Sequence, residues 1–297
     1  MSELMNDFLK RPNQVLEQVE LLLPKPAEPI DWCTVFAASW QRKGNSSFFR
    51  PIPLDADIQL ADLLGVDNQR QQLLRNTQQF MRGFPANHAL LWGARGTGKS
   101  SIVRALLAEY AAQGLRLIEV ERDKLADLPL IVESLAGLPQ HFIVFCDDLS
   151  FEAGEGDYRI LKSVLDGSLE RAPDNVLLYA TSNRRHLLPE QHSDNQNWQR
   201  GDGGELHPSE AVEDKIALSD RFGLWLSFYP FSQDHYLDVV QHWIAEYAAP
   251  AQLQWAFNEE LAKEAISWAQ ARGNRNGRCA AQFAKQWVGL QLLDSQS

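Results

Sequence analysis

The 297-residue sequence has little of what marks a secreted, membrane-spanning or zinc-binding protein. Its only cysteines, Cys33, Cys146 and Cys279, are isolated and show no C-x-x-C spacing, which argues against a disulfide framework or a zinc site. No apolar run approaches the length of a membrane span, and Met1 to Pro12 lacks the continuous hydrophobic stretch of a signal peptide. We therefore expect a cytoplasmic protein that does not enter a membrane.

Positive charge is also scarce, because 28 Lys and Arg residues face 39 Asp and Glu residues, giving a net charge of -11. This balance opposes non-specific attraction to nucleic acid, so a nucleic-acid partner is not expected. The basic cluster Arg272, Arg275 and Arg278 leaves a local binding patch open as an alternative. No Asn-Lys-x-Asp element is present to read guanine, which disfavours GTP as the ligand.

One stretch carries a specific motif, because residues 93–100 read Gly-Ala-Arg-Gly-Thr-Gly-Lys-Ser and fit G-x-x-x-x-G-K-[ST]. Residues 89–92 before it are apolar, as in a buried strand, and residues 101–112 after it carry apolar residues at helical spacing. Glycines let successive backbone N–H groups turn toward a polyphosphate at the positive end of the helix. We predict a nucleotide-binding loop made of Gly93, Ala94, Arg95, Gly96, Thr97, Gly98, Lys99, Ser100 and Ser101.

A second apolar run, His141–Cys146, ends in the acidic pair Asp147 and Asp148. A buried parallel strand with this ending delivers carboxylates to a ligand at its C-terminal end. We predict that Ser100 and Asp147 hold Mg²⁺, Asp147 mostly through water, and that Asp148 orients or polarises the attacking water. Lys99 would reach the β- and γ-phosphates.

Two further segments flank this core. Asn183 follows a predicted strand at Asn175–Ala180 and could bridge Asp148 and the γ-phosphate, although an Asn at such a place also forms turns. The apolar turn Leu64-Gly65-Val66 lies shortly before the loop strand. It is placed to cover an adenine ring, and a plain connecting turn is the alternative.

The rest of the chain predicts helices at both ends. Amphipathic patterns at 13–23 and 31–43 indicate an N-terminal helical extension over 1–56, before an α/β nucleotide-binding domain over 57–230. Three helix-like patterns without an intervening strand, at 234–248, 258–272 and 278–293, predict a helical lid domain over 231–297. The polar stretch 189–204 is interpreted as a lid or partner-contact loop.

These motifs together resemble the AAA+ superfamily. The likeness rests on a Walker A motif at 93–100, a Walker B motif at 142–148, a sensor 1-like Asn183, an arginine-finger-like Ser-Asp-Arg221-Phe and a sensor 2-like Gly-Arg278. The phrases LLWGARGTGKSS, FCDDLSFE and LSDRFGLW resemble, more narrowly, a bacterial family of predicted AAA+ ATPases catalogued as a domain of unknown function. This likeness runs from about residue 60 to the C-terminus.

The resemblance implies a P-loop NTPase fold, a three-layer α/β sandwich with a five-stranded parallel sheet and a C-terminal helical lid. It implies an Mg²⁺-dependent ATPase that assembles as a homo-oligomer, with Arg221 acting on a neighbour's site in trans, Arg278 acting in cis, and a protein client that it does not name. Many relatives have Glu where this chain has Asp148, so an ATP-dependent switch with little hydrolysis is one alternative. The order of the motifs and the cluster of Arg272, Arg275 and Arg278 leave a DNA-handling loader as another.

Overall fold

The computed structural model describes residues 29–44, 46–53, 58–150, 157–166, 173–184, 199–200, 206–207 and 220–295. Seven strands form one sheet in the order β2-β1-β4-β5-β6-β3-β9, and β7 and β8 form a separate antiparallel pair. The strands are β1 Ala37–Lys43, β2 Ser46–Ile52, β3 Ala89–Gly93, β4 Leu115–Glu119, β5 His141–Cys146, β6 Val176–Ser182, β7 Gln199–Arg200, β8 Leu206–His207 and β9 Leu224–Phe228.

Helices cover both faces of the main sheet and continue beyond it. They are α1 Asp67–Met81, α2 Lys99–Tyr110, α3 Leu128–Leu135, α4 Asp157–Asp166, α5 Gln233–Ala248, α6 Glu259–Ala271 and α7 Gly277–Asp294. Short 3-10 turns occupy Leu60–Asp62, Ala111–Gln113, Arg122–Asp127 and Ala249–Ala251. Among the described residues, no helix combines the length and the apolar character that crossing a bilayer requires.

Alternation along the strands builds two cores, one on each side of the sheet. On β5, Phe142 and Val144 belong to the core beneath α3 and α4, whereas Ile143 and Phe145 belong to the core beneath α1 and α2. Each of these four side chains is fully buried. A parallel strand that is covered on both faces reads as a continuous apolar run, which is why this stretch was recognisable in the sequence. The predicted three-layer α/β sandwich is confirmed.

The sheet is wider than predicted, because the predicted helix at 31–43 is wrong. Residues 37–43 form β1, which pairs in parallel with β4 and antiparallel with β2. Trp32 and Trp40 pack in one core while Phe36 packs against the other, so these aromatics straddle the sheet instead of lining one helix face. Six strands are therefore parallel and β2 is an antiparallel edge, in place of the five parallel strands expected.

The three C-terminal helices form a core of their own. Tyr236 and Val240 of α5, Ala265 of α6, and Ala280 and Ala284 of α7 are fully buried in this third core. The helix predictions at 234–248, 258–272 and 278–293 are confirmed to within a residue or two at each end. The division of the chain at residue 231 stays a prediction. The division at residue 57 does not hold for the described residues 37–52, because β1 and β2 join the sheet of the α/β domain and are not part of a helical extension. The predicted helix at 13–23 and most of the polar stretch 189–204 lie outside the described residues.

Candidate nucleotide-binding site

The loop that joins β3 to α2 is shaped by glycines in backbone conformations that other residues avoid. Gly93 has a φ of 130°, and a Cβ there would lie 1.9 Å from the Phe228 carbonyl oxygen of the neighbouring strand β9. Gly98, at a φ of 97°, immediately precedes the first residue of α2. The Thr97 hydroxyl donates to the Ala94 carbonyl at 2.8 Å and closes the turn. The motif therefore adopts the strand-loop-helix form that a phosphate-binding loop requires.

Lys99 folds back over this loop. Its side-chain Nζ donates to the carbonyl oxygens of Gly93 at 2.9 Å and Ala94 at 2.7 Å, and it reaches Asn183 Oδ1 at 3.3 Å. The residue is only 7 % exposed. Burial lowers the pKa of the Lys99 ammonium, and the nearby carboxylates of Asp147 and Asp148 oppose that shift. The loop thus holds a cation beside two acids.

The end of β5 meets the start of α2 through one carboxylate oxygen. Asp147 Oδ1 accepts hydrogen bonds from the Ser100 hydroxyl at 2.6 Å, from the Thr181 hydroxyl at 2.5 Å and from the Asp148 backbone N–H at 3.1 Å. Thr181, on β6, is 2 % exposed, and its hydroxyl also accepts from the Asp148 N–H at 2.9 Å. Three elements that are distant in sequence are therefore joined by these contacts.

Asp148 adopts a left-handed backbone conformation, with a φ of 52°. The carboxylate accepts a hydrogen bond from the Asn183 amide and lies 4.0 Å from the Arg95 guanidinium. Asn183 consequently contacts both Asp148 and Lys99, as its place at the end of β6 allows. A non-glycine residue in this conformation is uncommon and is found disproportionately at functional sites.

A cavity of about 830 Å³ lies between the sheet edge and the helical lid. Its wall includes predicted site residues and residues of α5 and α7 that the sequence did not indicate. The predicted residues in the wall are Leu64, Val66, Arg95, Gly96, Thr97, Gly98, Lys99, Ser100, Ser101, Asp147, Asp148, Asn183 and Arg278, and the others include Trp243, Tyr247 and Lys285. This is within the ordinary size of a small-molecule site.

The turn before α1 is fixed against the lid. His235 Nε2 lies 3.1 Å from the Leu64 carbonyl oxygen, and a Cβ on Gly65 would overlap the His235 ring at 1.0 Å. Gly65 also has a φ of 69°. Leu64 and Val66 line the cavity on either side of it, as the adenine-covering prediction requires, while Gly65 is not part of the lining.

Arg221 is not brought to this cavity. It precedes β9, whose first residue Leu224 pairs with Ala89 while its last residue Phe228 pairs with Gly93. Arg221 therefore lies near the N-terminal end of the parallel strands, and the phosphate loop lies at their C-terminal end.

Comparison with known proteins gives the family. The family described as "Protein of unknown function (DUF815)" matches residues 33–291, which is most of the chain. The chain belongs to this family. No curated protein matches it in sequence.

Solved structures show the fold of this DUF815 member. A point mutant of RuvB from Thermotoga maritima matches with a TM-score of 0.53 and 16% identity, covering 80% of this chain and 66% of that one. Orc1 from Aeropyrum pernix, solved in complex with DNA, matches with a TM-score of 0.52 and 15% identity, covering 80% and 64%. The chain thus spans just under two thirds of the length of these structures. Both are AAA+ ATPases, so the DUF815 member has the AAA+ fold.

Mg²⁺ suits the donors present in the DUF815 site. The ion prefers oxygen ligands and is bound through one or two carboxylates or hydroxyls together with substrate phosphates. Ser100 Oγ and Asp147 Oδ1 are such oxygens, 2.6 Å apart, beside the phosphate loop. Among the described residues of the cavity wall there is no His, Cys or Met, the side chains that would favour a softer metal.

Two residues that contact these groups were missed by sequence reasoning, Thr181 and Asn276. Thr181 lies near the end of β6, and Asn183 directly follows the last residue of that strand. Because alternate residues of a strand share a face, the two-residue spacing could have found Thr181. Asn276 caps α7 and donates from Nδ2 to the Arg95 carbonyl oxygen at 3.0 Å. No sequence signal connects residues 181 positions apart.

Proposed function

We propose that this protein binds ATP together with Mg²⁺ and hydrolyses it, coupling the reaction to a conformational change of a homo-oligomer. The observation that carries the proposal is the convergence of Lys99, the Ser100–Asp147 pair and Asp148 on one edge of one cavity. Their spacing in the motif, their mutual hydrogen bonds and the AAA+ fold of the chain support the same interpretation.

In the proposed complex, the loop amides and Lys99 hold the triphosphate. The Lys99 ammonium exchanges its contacts with the loop carbonyls for the β- and γ-phosphate oxygens. Ser100 and Asp147 hold the metal, which when bound supplies positive charge that neutralises the phosphates. Leu64, Gly65 and Val66 form the turn against which the adenine packs.

Hydrolysis requires a water held in line with the γ-phosphorus. Asp148 accepts a proton from that water while the water oxygen bonds to the γ-phosphorus. The bond between the γ-phosphorus and the bridging oxygen breaks, which releases ADP and inorganic phosphate. Asn183 holds the Asp148 carboxylate in place. Arg278 of the lid contacts the phosphates in cis, and Arg221 of a neighbouring copy stabilises the charge of the transition state in trans.

The position of the cavity suggests how the reaction would move the protein. One wall comes from the sheet edge and the other from α5 and α7, which share a separate core. A nucleotide that contacts both walls would favour closure of the two walls, and loss of the γ-phosphate would allow them to separate again. We accordingly propose that residues 57–230, together with β1 and β2, act as the core and residues 231–297 act as the lid.

Measurement of phosphate release tests the proposal. Lys99→Ala is expected to reduce the rate at least about a hundredfold, because a preorganised cation at developing charge is worth that much. Lys263→Ala is the matched control, since that lysine lies on the exposed surface of α6, where it forms an ion pair with Glu259. Equal rates for wild type and Lys99→Ala would refute the proposal.

A second candidate is an ATP-dependent switch with little hydrolysis. Asp148 is shorter than the Glu of many relatives, and its carboxylate is engaged by Asn183. Tight ATP binding with negligible turnover, even at concentrations that favour assembly, would select this function over the first.

A third candidate, DNA handling, has weaker support. Orc1 is bound to DNA in its structure, but 15% identity conveys only the fold. The basic cluster does not form one free patch, because the Arg272 guanidinium lies 3.3 Å from the centre of the Trp268 ring and Arg278 lines the cavity. Salt-sensitive binding to DNA in the presence of ATP would be needed to restore this candidate.

A further inference from the structure

The first turn of lid helix α7 is hydrogen-bonded to the backbone of the phosphate loop. Asn276 Nδ2 donates to the Arg95 carbonyl oxygen at 3.0 Å, and the Arg278 backbone N–H donates to the Gly96 carbonyl oxygen at 3.3 Å. Two successive loop carbonyls therefore accept from two residues of the lid.

The contact is too close for side chains on the two glycines that face each other across it. A Cβ on Gly96 would lie 2.7 Å from Asn276 Cγ, and a Cβ on Gly277 would lie 3.2 Å from the Gly96 carbonyl oxygen. Gly96 also has a φ of 75°. The loop and the helix are therefore joined by one backbone–backbone bond, from Arg278 to Gly96, and by the short Asn276 side chain, so a shift of one side is transmitted to the other.

These bonds fix the direction of two loop N–H groups. A trans peptide is planar, with its C=O and the next N–H pointing to opposite sides. Holding the Arg95 carbonyl toward Asn276 turns the Gly96 N–H away from the lid helix, and holding the Gly96 carbonyl toward Arg278 does the same for the Thr97 N–H. Gly96 and Thr97 both line the cavity.

We propose that Asn276 is a positioning residue of the phosphate site, which orients the Gly96 N–H group for phosphate through its bond to the Arg95 carbonyl. The proposal rests on the proposed function and deepens it, because a residue of the lid then helps to fix the conformation of the phosphate-binding loop. Binding of phosphate groups and the position of α7 are then linked through the same two peptide planes.

Asn276 also caps α7, and the test must separate these two roles. Its Oδ1 accepts from the Cys279 N–H at 2.9 Å. A serine is an equally good N-cap residue, is uncharged and is too short to reach the Arg95 carbonyl. Asn276→Ser therefore retains the cap and removes the loop bond. Asn258 supplies a matched control, since it caps α6 through the Leu261 N–H at 2.9 Å and is not part of the cavity wall.

The experiment compares wild type, Asn276→Ser and Asn258→Ser as full chains. Amide hydrogen exchange without nucleotide should be at least about threefold faster at Gly96 in Asn276→Ser alone. Affinity for a fluorescent ADP, measured without metal, should fall about fivefold in Asn276→Ser, the value of one neutral hydrogen bond, and stay unchanged in Asn258→Ser. Thermal unfolding should shift little and equally in the two variants.

The outcomes separate this proposal from the proposed function. Unchanged exchange at Gly96, or unchanged ADP affinity, in a folded Asn276→Ser protein would overturn the role of Asn276. Failure of the wild type itself to bind nucleotide would instead refute the proposed function, and the exchange comparison would still report whether Asn276 orders the loop.

Discussion

The two ends of the parallel sheet both hold polar side chains, but these side chains have different partners. At the N-terminal end, His88 Nδ1 accepts from the Leu178 backbone N–H at 3.0 Å, and the Asn175 amide reaches three backbone carbonyls at 2.9 to 3.3 Å. At the C-terminal end, Asp147 accepts from Ser100 and Thr181, and Asn183 contacts both Lys99 and Asp148. Lys99 also donates to two carbonyls of the phosphate loop.

This difference separates polar side chains with a structural role from those with a functional role. A side chain that bonds to buried backbone groups stabilises the fold, because breaking its hydrogen bonds would leave those groups without partners. Side chains that satisfy one another around a cavity can exchange those partners for a ligand at little cost. We therefore expect substitutions at the N-terminal end to change stability and those at the C-terminal end to change nucleotide chemistry.

Arg221 should give the largest effect. It lies near the N-terminal end of the strands, so a role in hydrolysis would be an exception to the expectation that this end affects stability only. If it acts in trans, Arg221→Ala should lower ATP hydrolysis by about 10³-fold or more with nucleotide affinity nearly unchanged. Mixing Arg221→Ala with Lys99→Ala should restore part of the activity, because one protein then supplies the arginine and the other supplies the loop. A mixture as inactive as its components would argue against the role in trans.

His88 should govern stability in acid and leave nucleotide binding alone. Burial lowers the pKa of His88 to about 4, from 6.5 for an unperturbed histidine. Between these values the unfolded chain binds a proton that the folded chain does not, so stability falls as the pH falls, by about 3 kcal/mol at pH 4. When the free energy of unfolding is measured by denaturant titration at each pH, His88→Gln should weaken its dependence on pH between 6.5 and 4. The same pH dependence in the variant and the wild type would show that His88 does not control stability in acid.

Thr181 gives a smaller effect at the C-terminal end. Thr181→Val removes the hydroxyl that bonds Asp147 Oδ1 and the Asp148 N–H, and should raise the Mg²⁺ concentration needed for half-maximal activity by about 10- to 100-fold. Thr181→Ser should restore the wild-type requirement. A loss of melting temperature with no change in the Mg²⁺ requirement would assign Thr181 a structural role only.

The sequence predicted what local patterns encode. The phosphate loop, the acidic strand end and the three lid helices follow from spacing over a few residues, and each element is found where it was predicted. The N-terminal strands were missed because Trp32, Phe36 and Trp40 recur every four residues, which is the spacing of a helix face. Only Trp40 lies within β1, and Phe36 packs on the other side of the sheet. Pairing of β1 with β4 decided the structure, and it depends on residues far along the chain.

The parts of the site that sequence could not give depend on contacts between distant segments. Asn276 reads as an ordinary helix cap, and only the packing of α7 on the loop shows its second bond. His235 likewise has no motif, yet it lies against Gly65. The roles assigned to Lys99, Asp148 and Arg278 stay predictions until binding and turnover are measured.

The left-handed turn at Asp148 bears on why this position is not Glu. Asp and Asn tolerate that backbone region several-fold better than most residues, because their short side chains bond locally. Asp148→Asn would thus remove the charge and keep the backbone conformation, so the variant should bind ATP without hydrolysing it. Lengthening the side chain to Glu would work against the bend itself, so any gain in reach toward water would come with a less stable strand end.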